Sequence, residues 1–250
     1  MQALSDIVRE FRPPPMNGAA SYPPAQVSSA DIRKMPRVRL ADIDASHPRV
    51  AAAVEAARTW VKRYNAFSAE SDCAPWLILS GPNGTGKTLL ARVIFGAFRY
   101  TSNVYEGYDY GGGPAPDIRI DRPIGRFWPA YELMELLAPA RDDAGSVGIG
   151  TTIGSAPIVV IDDVGAEGVL QYVGKEFQDY ERQTRYFRFL DFCYVRGNSI
   201  PGVMTTNLTL EQLAAHVGPR AWDRLMQMAP AGQMVDMSGV PSWRVKAGGR

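Results

Sequence analysis

A glycine-rich segment ending in lysine and threonine is the clearest chemical feature of this sequence. Residues Gly81 to Thr88, GPNGTGKT, satisfy every fixed position of the phosphate-binding pattern G-x-x-x-x-G-K-[ST]. An apolar run at 76–79 predicts a strand before the segment, and a second apolar run at 89–95 predicts a helix after it. Backbone N–H groups of such a loop turn toward phosphate oxygens, and the helix N-terminus adds positive potential. The alternative is a glycine-rich turn with a chance lysine.

The loop pattern assigns a role to each of its polar residues. Lys87 is expected to reach the β- and γ-phosphates of ATP, and the Thr88 hydroxyl to bind Mg²⁺. The residues predicted to contact the nucleotide form one continuous run: Gly81, Pro82, Asn83, Gly84, Thr85, Gly86, Lys87, Thr88 and Leu89.

Two aspartates form the second part of the predicted site. The β-branched run at 158–161 is typical of a strand buried on both faces, and it ends in Asp162 and Asp163. Open α/β sheets place their ligands at the carboxyl ends of such strands. Asp162 is therefore predicted to hold Mg²⁺ and Asp163 to polarise the attacking water. The alternative is an acidic pair that ends a strand before the turn at Gly165.

Three further polar residues follow the next predicted strand, 202–206. Asn207 ends this strand and could bind the attacking water or the γ-phosphate; the alternative is an asparagine that only shapes the turn. Arg220 and Arg224 lie four residues apart, on one face of a predicted helix. One of them could stabilise charge on the γ-phosphate of a neighbouring subunit. The alternative is a surface arginine paired with Asp223 or Glu211.

The composition of the chain argues against several other classes of protein. The chain has 250 residues and a net charge of +1, so any contact with DNA must come from local basic patches. Its two cysteines, Cys73 and Cys193, lack metal-ligand spacing, so we expect neither a zinc site nor a disulfide framework. No apolar run is long enough for a membrane span, and no secretory signal is visible, so we expect a cytoplasmic protein.

The chain divides into two predicted regions. Residues 1–36 hold a short helix and a proline-rich linker, a possible tether for a partner; the helix carries one apolar stripe at Leu4, Ile7, Val8 and Phe11. Residues 37–250 alternate strands and helices, which predicts an α/β domain with a parallel sheet and right-handed crossovers. Asp162 follows Lys87 by 75 residues, with strand and helix patterns between them, so a further strand is expected between the two strands. The glycine- and tyrosine-rich segment at 105–116 is predicted to be an exposed loop.

Together these segments resemble the DnaC/IstB group of AAA+ ATPases, which includes helicase loaders and transposition helper ATPases. The similarity covers residues 40–245. Besides the phosphate loop it includes residues 44–48, which are similar to the segment before the first helix in this group. It also includes four shorter segments: 160–165, 205–208, 218–225 and 242–244.

The resemblance implies a P-loop fold of the AAA+ type, with a five-stranded parallel sheet flanked by helices. It implies that Asn207 is the sensor 1 residue, Arg224 the arginine finger, with Arg220 as the second choice, and Arg244 a sensor 2-like arginine. Only 43 residues follow Asn207 in this 250-residue chain, so a separate helical lid is not expected.

The sequence departs from the family pattern in three places. The family often has Asp-Glu where this chain has Asp162 and Asp163, so Glu167 is an alternative for activating water. The insertion at 102–125 is longer than expected, and no cysteine cluster precedes the ATPase region.

The resemblance implies a Mg²⁺-dependent ATPase that assembles into a ring or spiral and loads a replicative helicase onto DNA, with single-stranded DNA as a further partner. A transposase helper of the same group is the alternative, since it shares the core. A small-molecule kinase with a phosphate loop is a third possibility, against which Asn207 and Arg224 argue.

Overall fold

The computed structural model of this chain describes residues 40–66, 73–97, 103–105, 118–120, 125–137, 156, 158–167, 175–194 and 200–242. A 3-10 turn at Leu40–Asp42 comes first. The helices are α1 Pro48–Ala66, α2 Lys87–Ala97, α3 Ala130–Leu136, α4 Lys175–Tyr194, α5 Leu210–Val217 and α6 Pro219–Met228. The strands are β1 Trp76–Ser80, β2 Asn103–Tyr105, β3 Ile118–Ile120, β4 Arg126–Pro129, β5 Val159–Val164, β6 Gly202–Thr206 and β7 Met234–Asp236.

Five of the strands form one parallel sheet in the order β4-β5-β6-β1-β7. Strand β6 therefore lies between β5, which carries the two aspartates, and β1, which leads into the phosphate loop. Because parallel strands end at the same edge of a sheet, this order brings the loop, Asp162 and Asn207 to one edge. The predicted parallel five-stranded sheet is confirmed.

Helices cover both faces of this sheet, because alternate side chains of each strand point to opposite faces. Leu77 and Leu79 of β1 pack on one face with α1 and α2. Trp76 and Ile78 pack on the other face, in a core built with α3, α4, α5 and α6. The sheet is thus buried on both faces, by one apolar core on each side.

Local signals fix the two helices after β6. Thr209 caps α5 with a capping box, in which its hydroxyl accepts from the Gln212 N–H and the Gln212 side chain accepts from the Thr209 N–H. Gly218 ends α5 with a φ of +87°, a conformation that L side chains rarely adopt. Pro219 then begins α6 at its first position, where no N–H is needed. This tight junction sets the direction of the helix that carries Arg220 and Arg224.

Two parts of the sheet structure differ from the prediction. The sequence gives no signal for β7, which completes the sheet, because three residues are too few to show a strand pattern. The insertion at 102–125, of which residues 105–116 are predicted to be loop, also contains β2 and β3, which the sequence did not predict and which pair antiparallel, Asn103 with Ile120 and Tyr105 with Ile118. The β-branched and aromatic residues of these strands favour extended backbone.

Some predictions fall on residues that the structure does not describe. They include the helix and linker of residues 1–36, the loop at 105–116 apart from Tyr105, and Arg244. No helix among the described residues is long and apolar enough to cross a membrane.

Candidate nucleotide-binding site

The phosphate loop connects β1 to α2 and depends on its glycines. Gly86 has a φ of +96°, and a Cβ built there would meet no atom of the described residues within 4 Å, so among these residues the loop is open on that side. Gly81 has a φ of +137°, and a Cβ there would lie 2.9 Å from the backbone carbon of Met237. The chain after β7 therefore packs directly against the start of the loop, which only glycine permits.

Lys87 begins α2 and is buried, with 6% of its surface exposed. Its ammonium donates to the carbonyls of Gly81 at 2.6 Å and Pro82 at 2.8 Å. It also donates to the side-chain oxygen of Asn207 at 2.9 Å. A buried cation is stable here because oxygen acceptors surround it. The predicted loop lysine and the predicted residue at the end of β6 are thus in direct contact.

Thr88 and Asp162, the two predicted Mg²⁺ ligands, also meet. The Thr88 hydroxyl donates to Asp162 Oδ1 at 2.9 Å. The Thr205 hydroxyl of β6 donates to the same oxygen at 2.6 Å, which fixes the carboxylate at the end of the buried strand. A hydroxyl and a carboxylate oxygen are ligands that Mg²⁺ prefers.

Asp163 lies in an unusual backbone conformation. Its φ of +63° is rare for a residue with a side chain, and it falls where the pairing of β5 with β6 is irregular. The Asp163 N–H donates to the Thr205 hydroxyl at 2.9 Å, and the Asn207 amide donates to Asp163 Oδ1 at 2.5 Å. These bonds hold the carboxylate at the same edge of the sheet as Lys87. Strain of this kind often occurs at functional sites.

Burial raises the pKa of Asp163 above its ordinary value, and the neighbouring carboxylate of Asp162 raises it further. Lys87 and the Asn207 hydrogen bond oppose this rise without cancelling it. A carboxylate with a raised pKa is a better proton acceptor than an ordinary aspartate, which suits a group that polarises water.

Glu167, the alternative to Asp163, is committed to other contacts. One of its oxygens accepts from the Tyr186 hydroxyl, and the other accepts from the Gly165 N–H at 2.8 Å. The second oxygen also lies 2.9 Å from His216 Nε2, and only 7% of the side chain is exposed. Glu167 thus ties the turn after β5 to α4 and α5. The geometry favours Asp163 over Glu167 as the residue that contacts water.

The two candidate arginines lie on α6, which packs against α4 on the face of the sheet opposite α1 and α2. Arg224 donates from Nε to Asp191 at 2.9 Å and stacks over the ring of Tyr194. Arg220 lies over the ring of Phe187. Within the described residues, neither arginine contacts the phosphate loop. The main partner of Arg224 is Asp191, a residue that the sequence did not suggest; Asp223 is 3.7 Å away.

A cavity of about 370 Å³ lies between the segment before α1 and the chain after β7. The sequence did not predict this cavity, although it singled out residues 44–48 by resemblance. Val50 lines both this cavity and a narrower one that reaches Gly86 of the loop. The lining residues of the larger cavity are Asp44, Ser46, His47, Pro48, Val50, Val240 and Pro241.

An exposed ion pair joins α1 to the end of β7 beside this cavity. Arg49 of α1 donates to Asp236 Oδ2 at 2.5 Å and to the Ser238 hydroxyl at 3.0 Å. Ser242, the last described residue, lies against Gly84, where a Cβ would be 2.1 Å from its hydroxyl oxygen. The chain after β7 therefore borders the loop from Met237 to Ser242.

Solved structures share this arrangement of strands and helices. A crystal structure of DnaI matches 82% of this chain and 93% of its own length, with a TM-score of 0.53 and 18% identity. A structure of AMPPCP-bound DnaA from Aquifex aeolicus matches 85% of this chain, with a TM-score of 0.51 and 14% identity. The match spans 53% of that DnaA chain, about half its length.

The chain shares the fold of these two structures, a parallel α/β sheet with a phosphate loop after its first strand. Comparisons with protein-family models and with curated protein sequences find no match. At these identities the two structures establish the fold alone. The roles of individual residues therefore depend on the geometry of this chain.

Proposed function

We propose that this protein is a Mg²⁺-dependent AAA+ ATPase that assembles on ATP and loads a replicative helicase onto DNA. The observation that carries the ATPase assignment is the bond from Thr88 to Asp162, which unites the phosphate loop with the acidic strand end. Lys87 and Asn207 meet beside it. Together they supply a cation, a metal-ligand pair and a polar group for water at one edge of the sheet.

The donor set fits ATP with Mg²⁺. Thr88 and Asp162 would hold the ion, which supplies charge neutralisation between the phosphates when bound. The described residues contain no group of three or more His, Cys, Asp or Glu side chains that could hold a metal by themselves. This fits Mg²⁺, which takes one or two protein oxygens and completes its shell with phosphate and water.

The remaining residues of the site have separate tasks. Lys87 would exchange its two loop carbonyls for phosphate oxygens and so bind the β- and γ-phosphates. Asp163 would accept a hydrogen bond from the attacking water and so orient this water. Asn207 already contacts both Lys87 and Asp163, and it would keep these two side chains at a fixed position relative to each other.

The cavity between residues 44–50 and 240–241 is the proposed site of the adenine base. Val50 lines both this cavity and the narrower one that Gly86 lines, which supports a nucleotide that spans the two. Its lining combines apolar side chains with a few polar groups, as ligand pockets do. The ion pair of Arg49 with Asp236 lies beside the cavity.

The position of Arg224 supports the proposed assembly into a ring or spiral. It lies on α6, which packs mainly against α4 and α5, and within the described residues it contacts no part of its own phosphate loop. We propose that Arg224 stabilises the γ-phosphate charge of an adjacent copy, as arginine fingers do. Arg220 is the second candidate, and Arg244 is proposed to act on the nucleotide of its own chain.

The partner assignment rests on the resemblance to helicase loaders and on the fold shared with DnaI. We propose that residues 1–15 capture the helicase through their apolar stripe, as amphipathic helices do in grooves. Single-stranded DNA would contact the assembly through its backbone phosphates. A net charge of +1 per chain means that one copy alone binds DNA poorly.

A loading assay tests this proposal. The protein is mixed with the hexameric replicative helicase of its host and circular single-stranded DNA coated with single-strand-binding protein, and unwinding is measured with and without ATP. We expect ATP-dependent unwinding that is lost in Lys87→Ala and in a deletion of residues 1–15, while the deletion keeps its ATP hydrolysis. Capture of a transposase in place of the helicase would assign the protein to transposition instead.

A further inference from the structure

Arg224 contacts two residues of α4, one through a hydrogen bond from its Nε and one through an aromatic ring against its guanidinium. Asp191 accepts a hydrogen bond from Arg224 Nε at 2.9 Å. The guanidinium carbon lies 4.4 Å from the centre of the Tyr194 ring, close enough for a cation–π interaction. The side chains of Arg224 and Asp191 are only partly exposed, 28% and 36% respectively.

The choice of nitrogen matters for what Arg224 can still bind. Asp191 takes the proximal Nε, and within the described residues the two terminal nitrogens donate no hydrogen bond; Asp223 is 3.7 Å from one of them. The terminal nitrogens form the fork that binds two phosphate oxygens at once. The pairing therefore fixes the guanidinium through Nε, and among the described residues the terminal nitrogens have no hydrogen-bond partner and only the ion pair of one of them with Asp223.

Tyr194 is itself fixed from the other side. Its hydroxyl donates to Gln227 Oε1 at 2.5 Å, and the Gln227 amide donates to Asp223 at 2.9 Å. Gln227 is on the same helix as Arg224, so the tyrosine ring bridges α4 and α6. The ring cannot turn away from the guanidinium without breaking this bridge.

Arg220 provides a comparison within the same helix. It lies over the Phe187 ring at 5.7 Å, and no described carboxylate forms an ion pair with it. Two arginines one turn apart thus each rest on an aromatic ring of α4, but only Arg224 also has an anionic partner. This extra restraint distinguishes Arg224 from its neighbour.

We propose that Asp191 and Tyr194 are positioning residues, which hold the terminal nitrogens of Arg224 in place for the γ-phosphate bound by an adjacent copy of this chain. This inference rests on the proposed ATPase function and deepens it. Orienting the fork before assembly lowers the entropy lost when the subunits meet. A finger without these partners would sample many rotamers and reach the phosphate in few of them.

The inference is tested by measuring steady-state ATP hydrolysis, and ATP affinity separately, in four variants: Asp191→Asn, Asp191→Glu, Tyr194→Leu and Tyr194→Phe. We expect kcat to fall about 100-fold in Asp191→Asn, in line with the effect of misplacing a catalytic group, while ATP affinity stays within about twofold. Asp191→Glu keeps the charge and should recover part of the rate, and Tyr194→Phe keeps the ring and should retain more activity than Tyr194→Leu. Asp179→Asn is the matched control, because Asp179 pairs with Arg182 on the same helix and is similarly exposed.

Mixed assemblies separate positioning from general damage. Lys87→Ala subunits keep Arg224, Asp191 and Tyr194, so adding them to Asp191→Asn subunits should restore hydrolysis at the intact ATP sites of the latter. A loss that such mixing does not restore, together with a lower Tm, would show that Asp191 only stabilises the fold. If Asp191→Asn does not fold, Tyr194→Leu carries the same test.

The other outcomes are equally distinct. Wild-type kcat in both Asp191→Asn and Tyr194→Leu, with Arg224→Ala inactive, would overturn the positioning role and leave the ATPase proposal standing. A wild-type protein that hydrolyses no ATP in the presence of Mg²⁺ and helicase would overturn both.

Discussion

The Lys87 ammonium donates a hydrogen bond to the side-chain oxygen of Asn207, 2.9 Å away, and so joins the phosphate loop to the end of β6. The same lysine donates to two carbonyls of its own loop. The lysine ammonium is therefore bonded to the loop backbone, where the phosphates are expected to bind. Phosphate oxygens must replace these acceptors, and charge-assisted bonds to phosphate are strong enough to do so.

Lys87→Ala should reduce ATP affinity by at least about 100-fold, equivalent to ~2.7 kcal/mol, because it removes the main positive charge at the phosphates. The circular dichroism spectrum should remain that of the wild type. Titration calorimetry with ATP and Mg²⁺ measures the loss. Lys62→Ala, which changes an exposed lysine of α1, is the matched control. Unchanged affinity in Lys87→Ala would rule out the loop as the nucleotide site.

Asn207→Ala should lower kcat by about 100-fold, as removal of one oriented donor does in other active sites. ATP affinity should fall much less, since Asn207 contacts Lys87 and Asp163 and not the loop backbone. Asn207→Asp should be at least as damaging, because it places a carboxylate against that of Asp163. Stopped-flow binding and steady-state hydrolysis separate the two effects. Equal losses in binding and kcat would assign Asn207 to nucleotide binding alone.

The site residues on the loop and strand ends were predictable from sequence because each follows from a local pattern. The loop has fixed spacing, and Asp162, Asp163 and Asn207 end β-branched runs whose parallel pairing brings them together. Asp191 and Tyr194 were not predictable, since they contact Arg224 only through the packing of α4 on α6. The cavity at residues 44–50 was missed for the same reason, because its other wall comes from residues 240–241, far along the chain.

The position of strand β7 and the contacts of Glu167 also could not be predicted from local sequence patterns. Three residues carry no usable periodicity, so the fifth strand could be expected from the fold but not located. Glu167 is an alternative base in the sequence analysis because the family often has Asp-Glu where this chain has Asp162 and Asp163. Its contacts with Tyr186 and His216 come from two separate helices, which no local pattern reveals.

Glu167→Ala should lower the free energy of unfolding by about 2–3 kcal/mol, because it leaves the buried Tyr186 hydroxyl and the partly buried His216 ring without their acceptor. Urea denaturation measures this loss. Glu55→Ala removes an exposed glutamate paired with Arg58 and should change stability by no more than about 0.5 kcal/mol.

Glu167→Gln separates this structural role from catalysis. The amide keeps the shape of the side chain and one acceptor oxygen, so kcat should stay within about threefold of wild type. A catalytic base would lose about 100-fold or more on this change. Such a loss would identify Glu167, and not Asp163, as the group that activates water.

Asp163→Asn should lower kcat by about 100-fold and at the same time raise the Tm at neutral pH. The activity falls because the amide cannot accept a proton from water. The stability rises because burial and Asp162 raise the pKa of Asp163 in the folded protein, so its ionised form opposes folding. Asparagine also tolerates the positive φ at this position.

The pH dependence of this gain has a definite sign. Below the ordinary aspartate pKa, near 3.9, the carboxyl is protonated in both folded and unfolded chains, and the two proteins should differ little. Between the ordinary pKa and the raised pKa of the folded state, the carboxyl of the unfolded wild-type chain is ionised while that of the folded chain is still protonated. The wild type therefore loses stability as the pH rises through this window, whereas Asp163→Asn does not. Thermal melts between pH 3.5 and 8, read as the difference in Tm, should therefore show a gap that widens with pH and then stays constant. A gap that narrows with rising pH would mean that Lys87 and Asn207 outweigh burial, and that Asp163 is an anchor for the lysine.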